Sequence, residues 1–157
     1  MLELKLIDKS DFSKEKESIF SLVDKIWLKK EDAFQAKHSI ERWASKTETG
    51  EYFYINQGSK PIGITGYFIP NLKEGIFGLR HHGTSVKGTG RLALDLLIKY
   101  LKENYKDSFK YLIELIPEGR NDLISKFKDW GFHIDPKGVP EWEPKKDYYK
   151  YAMIRKE

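Results

Sequence analysis

The sequence predicts an α+β or mixed α/β fold, with a mixed, mostly antiparallel sheet of about seven strands flanked by four helices, in one domain over residues 1–157. Three observations carry this. Three strand-like segments between Tyr52 and Ser85 are joined by short turns, which implies an antiparallel meander. A helix-like segment, Arg91 to about Tyr105, precedes the apolar segment Phe109–Ile116. That crossover places Phe109–Ile116 parallel to the third meander strand. No internal repeat, low-complexity segment or Pro/Gly/Ser linker divides the chain, and a domain of this size buries roughly 70% of its unfolded surface.

The elements follow in order. Leu2 to Ile7 alternates apolar and charged residues and reads as a strand. Ser10 and Asp11 are placed to cap a helix with Ile19, Leu22, Val23, Ile26 and Trp27 on its apolar face. A second helix starts near Glu31, turns Phe34, Ile40, Trp43 and Ala44 inward, and ends in Thr47–Gly50. The meander is Tyr52–Asn56, Pro61–Ile69 and Ile76–Ser85, joined through Gln57–Lys60 and Pro70–Gly75. Val86–Gly90 is a loop. The helix from Arg91 confines its polar residues to one narrow stripe, so most of its circumference is expected inside. Asn121 opens a helix with Leu123, Phe127 and Trp130 on one face, and Gly131 stops it. Phe132–Asp135 and Tyr148–Arg155 form a last strand pair around a long proline-containing loop.

Composition narrows the chemistry. With no cysteine, disulfides, a cysteine nucleophile and thiolate metal sites are excluded. His38 and His133 have no metal-ligand spacing linking them, so no metal is expected. No apolar run approaches the ~18 residues of a membrane span, and Met1-Leu2-Glu3 opens no signal peptide; a soluble cytoplasmic protein without a membrane partner is expected. The net charge is +4. Residues 1–50 balance, with ten basic and ten acidic side chains, so the surplus lies later. From Gly75 to Leu94 there is no acid, while Arg80, Lys87 and Arg91 are basic and His81 and His82 can become so. Such a stretch suits a small polyanion, although acid-free windows of this length also arise by chance. An extended basic stripe for nucleic acid is a rival, and it predicts salt-sensitive oligonucleotide binding.

Ser85-Val86-Lys87-Gly88-Thr89-Gly90-Arg91 is the informative segment. Two glycines at a helix entrance let backbone N–H groups point outward with no Cβ in the way. The helix N-terminus, Lys87 and Arg91 add positive charge, which together suits a phosphate or pyrophosphate. A Walker A loop fails: read from Gly83 to Gly88, the places for Lys and Ser/Thr hold Thr89 and Gly90. A dinucleotide fingerprint is met loosely by Gly88, Gly90 and Ala93, but the preceding strand is polar and Glu114 sits inside the next strand instead of at its tip. A glycine-rich turn without a ligand is the bland alternative.

The segment resembles the acetyl-CoA motif of the GCN5-related N-acetyltransferase superfamily, Gln/Arg-x-x-Gly-x-Gly/Ala, after a bulged strand and opening a helix. Lys87-Gly88-Thr89-Gly90 matches, while Ser85 stands at the leading Gln/Arg place. A second block, Asn121 through Gly131-Phe132, resembles the family's Asn, helix and Gly-Phe. The element order is also similar over the whole chain. The resemblance implies transfer of an acetyl group from acetyl-CoA to a primary amine of a small molecule. A protein lysine or N-terminal amine is the alternative acceptor, and a non-catalytic acyl-CoA-binding module is the alternative of another class. No nucleic-acid partner is implied, and a homodimer is left open.

The same resemblance implies the site. Val86, Lys87, Gly88, Thr89, Gly90 and Arg91 would cradle the pyrophosphate. Two parallel strands would splay to take the pantetheine arm along Leu79, Arg80 and His81, with Asn121 bonding it and Phe127 packing near it. Asn121 is equally an ordinary helix N-cap. Glu74 and His82 are rival general bases, since Glu74, Ile76, Gly78, Arg80 and His82 share one face of an unbroken strand. Phe127 occupies the place where many members carry an acidic tyrosine and has no proton to give; Ser125, Tyr148 and Tyr149 are substitutes. Glu141, Trp142 and Tyr148, in the last loop, would face a cationic amine.

Overall fold

The computed structural model describes residues 1–45, 48–135 and 149–157. Among them are eight strands and four α-helices: β1 (Leu2–Leu6), α1 (Phe12–Ile26), α2 (Lys30–Ser45), β2 (Glu51–Gln57), β3 (Lys60–Asn71), β4 (Ile76–Leu79), β5 (Gly83–Thr84), α3 (Gly90–Tyr105), β6 (Tyr111–Pro117), α4 (Asn121–Asp129), β7 (His133–Ile134) and β8 (Tyr149–Lys156). The chain forms two compact units, Met1–Phe68 with Arg80–Tyr100, and Ile69–Leu79 with Leu101–Glu157. Among the described residues no helix is long and apolar enough to cross a membrane.

In the first unit β1, β2 and β3 pair antiparallel in sequence order, as a meander of short turns demands. The β2–β3 turn is Gly58-Ser59, with Gly58 at φ 64. A bulge at Ile55/Asn56 shifts the register. Strand β2 is buried from Tyr52 to Asn56, so both of its faces are covered. Tyr52, Tyr54 and Ile64 pack with Ile19, Leu22 and Val23 of α1 and Ala33, Ala36, Ile40 and Trp43 of α2. On the alternate face Ile55 and Ile62 pack with Ala93 of α3, and Phe53 meets Tyr100 edge-on at 4.9 Å.

Asp11 stands at the N-cap of α1, without a side-chain capping bond, and Asp8 caps the 3₁₀ turn Lys9–Asp11 before it, its side chain accepting from Ser10 N at 2.9 Å. Three expectations change in this unit. Phe34 is 65% exposed because alanines at 33 and 36 occupy the inward positions; its ring stacks on His38 instead. Leu92 of α3 is also exposed. The third meander strand is not continuous: it breaks at Arg80–His82 into β4 and β5. Arg80 N bonds Gly66 O at 2.9 Å, and β5 then pairs with β3 through Gly63↔Thr84 and Ile64↔Gly83.

In the second unit β4 runs parallel to β6, the crossover geometry expected from the sequence, and β6–β8 and β7–β8 are antiparallel. The amides of Lys110 and Tyr111 both bond Gly75 O, at 3.0 and 2.9 Å, which starts the β4–β6 ladder. Phe77 of β4 packs edge-on against Tyr105 and Phe109. Helix α4 begins at Asn121, but the capping position is Arg120, so Asn121 is not the N-cap. The Arg120 guanidinium closes on both oxygens of Asp122 at 3.1 Å. Gly131, at φ 92, follows the end of α4.

Candidate functional site

The glycine loop hangs between β5 and α3 on three hydroxyls. Ser85 N and Oγ both donate to Ile62 O of β3, at 2.7 and 3.1 Å. Thr89 Oγ1 donates to Val86 O at 2.6 Å and lies 2.7 Å from Thr84 Oγ1. Thr89 O accepts from Ala93 N at 3.0 Å, one turn into α3. Thr89 is therefore buried while Lys87, Gly88 and Arg91 are exposed. Gly88 sits at φ 86, and a Cβ there would meet nothing within 4 Å. The left-handed backbone, not lack of room, calls for glycine. The space beside it is open to an incoming anion, next to a 16-residue helix whose first turn holds no acid.

Behind the loop lies His82, 5% exposed. Its Nε2 is 2.8 Å from Gly90 O and its Nδ1 is 2.7 Å from Thr65 Oγ1. A carbonyl oxygen only accepts, so Nε2 carries the proton, and in the neutral ring Nδ1 accepts from the Thr65 hydroxyl. His82 thus ties the first residue of α3 to β3. This arrangement occupies the lone pair a general base needs.

The basic groups of the acid-free stretch divide sharply. Arg80 turns inward: its Nε donates to Tyr67 O at 3.1 Å and its Nη2 to Thr49 O at 2.8 Å. The guanidinium also lies 5.4 Å from the Tyr52 ring and 5.3 Å from that of Phe68. His81 packs edge-on against Trp27 at 5.8 Å. Burial lowers its imidazole from 6.5 to about 4, Arg80 and Arg42 push the same way and Asp32 opposes them. His81 is therefore neutral at pH 7. Of the five groups read as one cationic stretch, Lys87 and Arg91 are the exposed ones.

The remaining expected residues lie in the second unit. Glu74 is exposed in the turn before β4, where its amide donates to Asn71 Oδ1 at 3.1 Å. The break at Arg80–His82 removes the shared strand face that linked Glu74 to His82. Leu79 is buried at the end of β4. Asn121 is exposed on the first turn of α4. Phe127 is 4% exposed, edge-on to Trp130 and Phe132 at 5.5 and 5.4 Å. Glu141, Trp142 and Tyr148 lie outside the described residues.

Thr65, which the sequence did not single out, holds His82. Ser85, read in the sequence as standing at the motif's Gln/Arg place, holds the loop to β3. Glu114 also stands apart. It sits in the middle of β6, where burial raises its carboxyl well above the usual carboxylate range, opposed by the Lys126 ammonium and the Leu115 N–H. A single acid inside an apolar strand was its signal.

No protein-family model matches the chain, and no curated protein matches it by sequence. Solved structures do match it. A chimera built on spermidine N-acetyltransferase of Vibrio cholerae superimposes with a TM-score of 0.68 at 14% identity, covering 99% of this chain and 94% of that one. The N-acetyltransferase PseH of Campylobacter jejuni gives 0.63 at 17% identity over 99% and 98%. The aminoglycoside acetyltransferase AAC(6')-Ib, solved with coenzyme A and kanamycin, gives 0.68 at 13% identity over 99% and 95%. The fold is that of the GCN5-related N-acetyltransferases.

Proposed function

We propose that the protein is a GCN5-related N-acetyltransferase, one domain over 1–157, that moves the acetyl group of acetyl-CoA to a primary amine of a small molecule. The observation that carries this is the loop from Ser85 to Arg91: pinned to β3, open at Gly88, flanked by exposed Lys87 and Arg91, and opening α3. In this reading the outward amides and α3 hold the pyrophosphate. Asn121 and Phe127 keep the roles implied by the family resemblance. Structural neighbours whose names specify spermidine or an aminoglycoside support a small amine over a protein as acceptor.

Two variants test the reading. Gly88→Glu with Gly90→Glu fills and charges the cradle, and Lys87→Glu with Arg91→Glu reverses the flanking charge on an unaltered backbone. Calorimetry should show acetyl-CoA affinity lost in both, with circular dichroism reporting the fold. Unchanged affinity in both would remove the assignment. A thiol-release assay over an amine panel then separates an enzyme from a binding module: tight acetyl-CoA binding with no amine turned over would mean the module.

A further inference from the structure

Strand β1 is an edge of the sheet in the first unit. It pairs with β2 on one side, and among the described residues no strand pairs with its other side. The backbone shows which groups that open side carries. Ile7 N donates to Tyr52 O at 2.9 Å, and Gly58 N to Met1 O at 3.3 Å. Both bonds join residues directly opposite one another in the β1–β2 register, which runs from Leu2↔Gln57 to Leu6↔Phe53. Hydrogen-bonded and non-hydrogen-bonded pairs alternate along an antiparallel ladder. Glu3 and Lys5 therefore bond β2, and the N–H and C=O groups of Leu2, Leu4 and Leu6 point to the open edge.

The side chains alternate between the two faces of the strand. Leu2 and Leu4 pack on one face, against the cluster of Ile55, Ile62 and Ala93. Leu6 shares that face yet is 51% exposed. Glu3 and Lys5 are exposed on the other face, where Ile7 is buried with α1 and α2. The segment Leu2-Glu3-Leu4-Lys5-Leu6 is thus symmetric about Leu4 in polarity, with charges of opposite sign on either side. An open edge is a template for another strand, and a strand of this pattern complements itself when reversed.

We propose that β1 is a self-pairing edge, along which two copies of this chain join antiparallel about a two-fold axis at Leu4. Few registers are open to such a pair. Only Leu2, Leu4 and Leu6 carry outward backbone groups, so Leu4 must face Leu2, Leu4 or Leu6 of the second copy. Facing Leu2 sets Glu3 against Glu3, and facing Leu6 sets Lys5 against Lys5. Facing Leu4 sets Glu3 against Lys5 on both sides of the axis. Like charges directly opposite destabilise a sheet and opposite charges stabilise it, which selects the last register. There Leu2, Leu4 and Leu6 of one copy exchange N–H···O bonds with Leu6, Leu4 and Leu2 of the other, three donors from each copy and six bonds in all. The Glu3–Lys5 pairs take the non-hydrogen-bonded positions, where Cα atoms approach to about 4.5 Å. Leu6 comes beside the second copy's Leu2, which covers the exposed leucine. The glycine loop takes no part, so the pairing stands or falls apart from acetyl transfer.

The test is sedimentation velocity of the full chain over a concentration series. The wild type should pass from monomer to dimer, and less readily at high salt. Glu3→Lys and Lys5→Glu each set like charges opposite at both pairs, and each should raise the dimer dissociation constant by about tenfold or more. The two substitutions combined in one chain restore opposite charges and should restore the dimer. Mixing the two single variants should also give a dimer, because every lysine then faces a glutamate. Hydrogen exchange on the wild type places the contact. The Leu4 and Leu6 amides should gain protection as concentration rises, while those of Lys5 and Ile7, already bonded to β2, should change little. Both substituted side chains are exposed, and the exchange measurement needs no substitution. A monomer at every concentration, a dimer indifferent to both reversals, single variants that stay apart when mixed, or no concentration-dependent protection at Leu4 and Leu6 would each overturn the proposal.

Discussion

Replacing Thr65 by valine isolates the tie between β3 and the start of α3. Thr65 is fully buried and His82 is 5% exposed, so no water replaces the lost hydroxyl cheaply. Valine keeps the shape but leaves His82 Nδ1 without the hydroxyl now 2.7 Å away. A buried acceptor stripped of its partner costs about 1–3 kcal/mol. For a domain of this size each kcal/mol lowers the melting temperature by roughly 2–4 °C. The expected fall is therefore about 2–12 °C, read by thermal circular dichroism at pH 7.5. Thr65→Ser retains the hydroxyl and should keep most of the stability. Nitrogen NMR should report the Nε2–H tautomer in the wild type, because Gly90 O accepts at 2.8 Å. If the valine variant melts with the wild type, or the serine variant falls as far as the valine one, His82 is not acting as this tie.

Arg80→Lys should lower stability, since an ammonium cannot serve Tyr67 O and Thr49 O while stacking on two rings. It should leave the salt dependence of acetyl-CoA binding alone, whereas Lys87→Ala and Arg91→Ala should weaken both binding and its salt dependence, measured by calorimetry at two ionic strengths. His81 gives a pH signature. Its folded pKa, about 4, lies below the ordinary 6.5, so the unfolded chain binds more protons between those values. Stability is full above pH 6.5 and falls as pH drops toward 4; His81→Gln should flatten that part of the melting-temperature profile. Glu114 has the opposite sign, because its pKa is raised in the fold: its contribution is full below the ordinary carboxyl range and is lost as pH rises. Glu114→Gln should therefore gain on the wild type in alkaline melts. Gly88→Ala should cost only the ~1–2 kcal/mol of a left-handed backbone, because nothing lies within 4 Å. Gly50→Ala should cost more in urea titrations, since at φ 85 its Cβ would sit 1.8 Å from Tyr67 O.

Much was legible along the chain because it depends on near neighbours. Strand alternation, the Gly58-Ser59 turn, the apolar spacing of α1 and the glycine loop before α3 are patterns over a few residues, and the order of elements follows from them. The parallel β4–β6 pair was also legible, because a strand–helix–strand crossover allows little else. What could not be read is where polar side chains find partners distant in sequence. Arg80, His81 and His82 look alike as a cationic run, yet one guanidinium caps carbonyls at 49 and 67, one imidazole is kept neutral beside Trp27, and the other bridges Thr65 and Gly90. Those partners pull the segment out of a single strand, which is why an unbroken β4 face from Glu74 to His82 does not exist. Phe34 shows the same limit for apolar residues: periodicity marks a face, but the neighbouring Ala33 and Ala36 settle which residues fit beneath it. The sequence alone determined the local elements and the anion-suited loop. The tertiary structure decided which charges remain exposed at that loop, because burial and hydrogen bonding act between residues that only folding brings together.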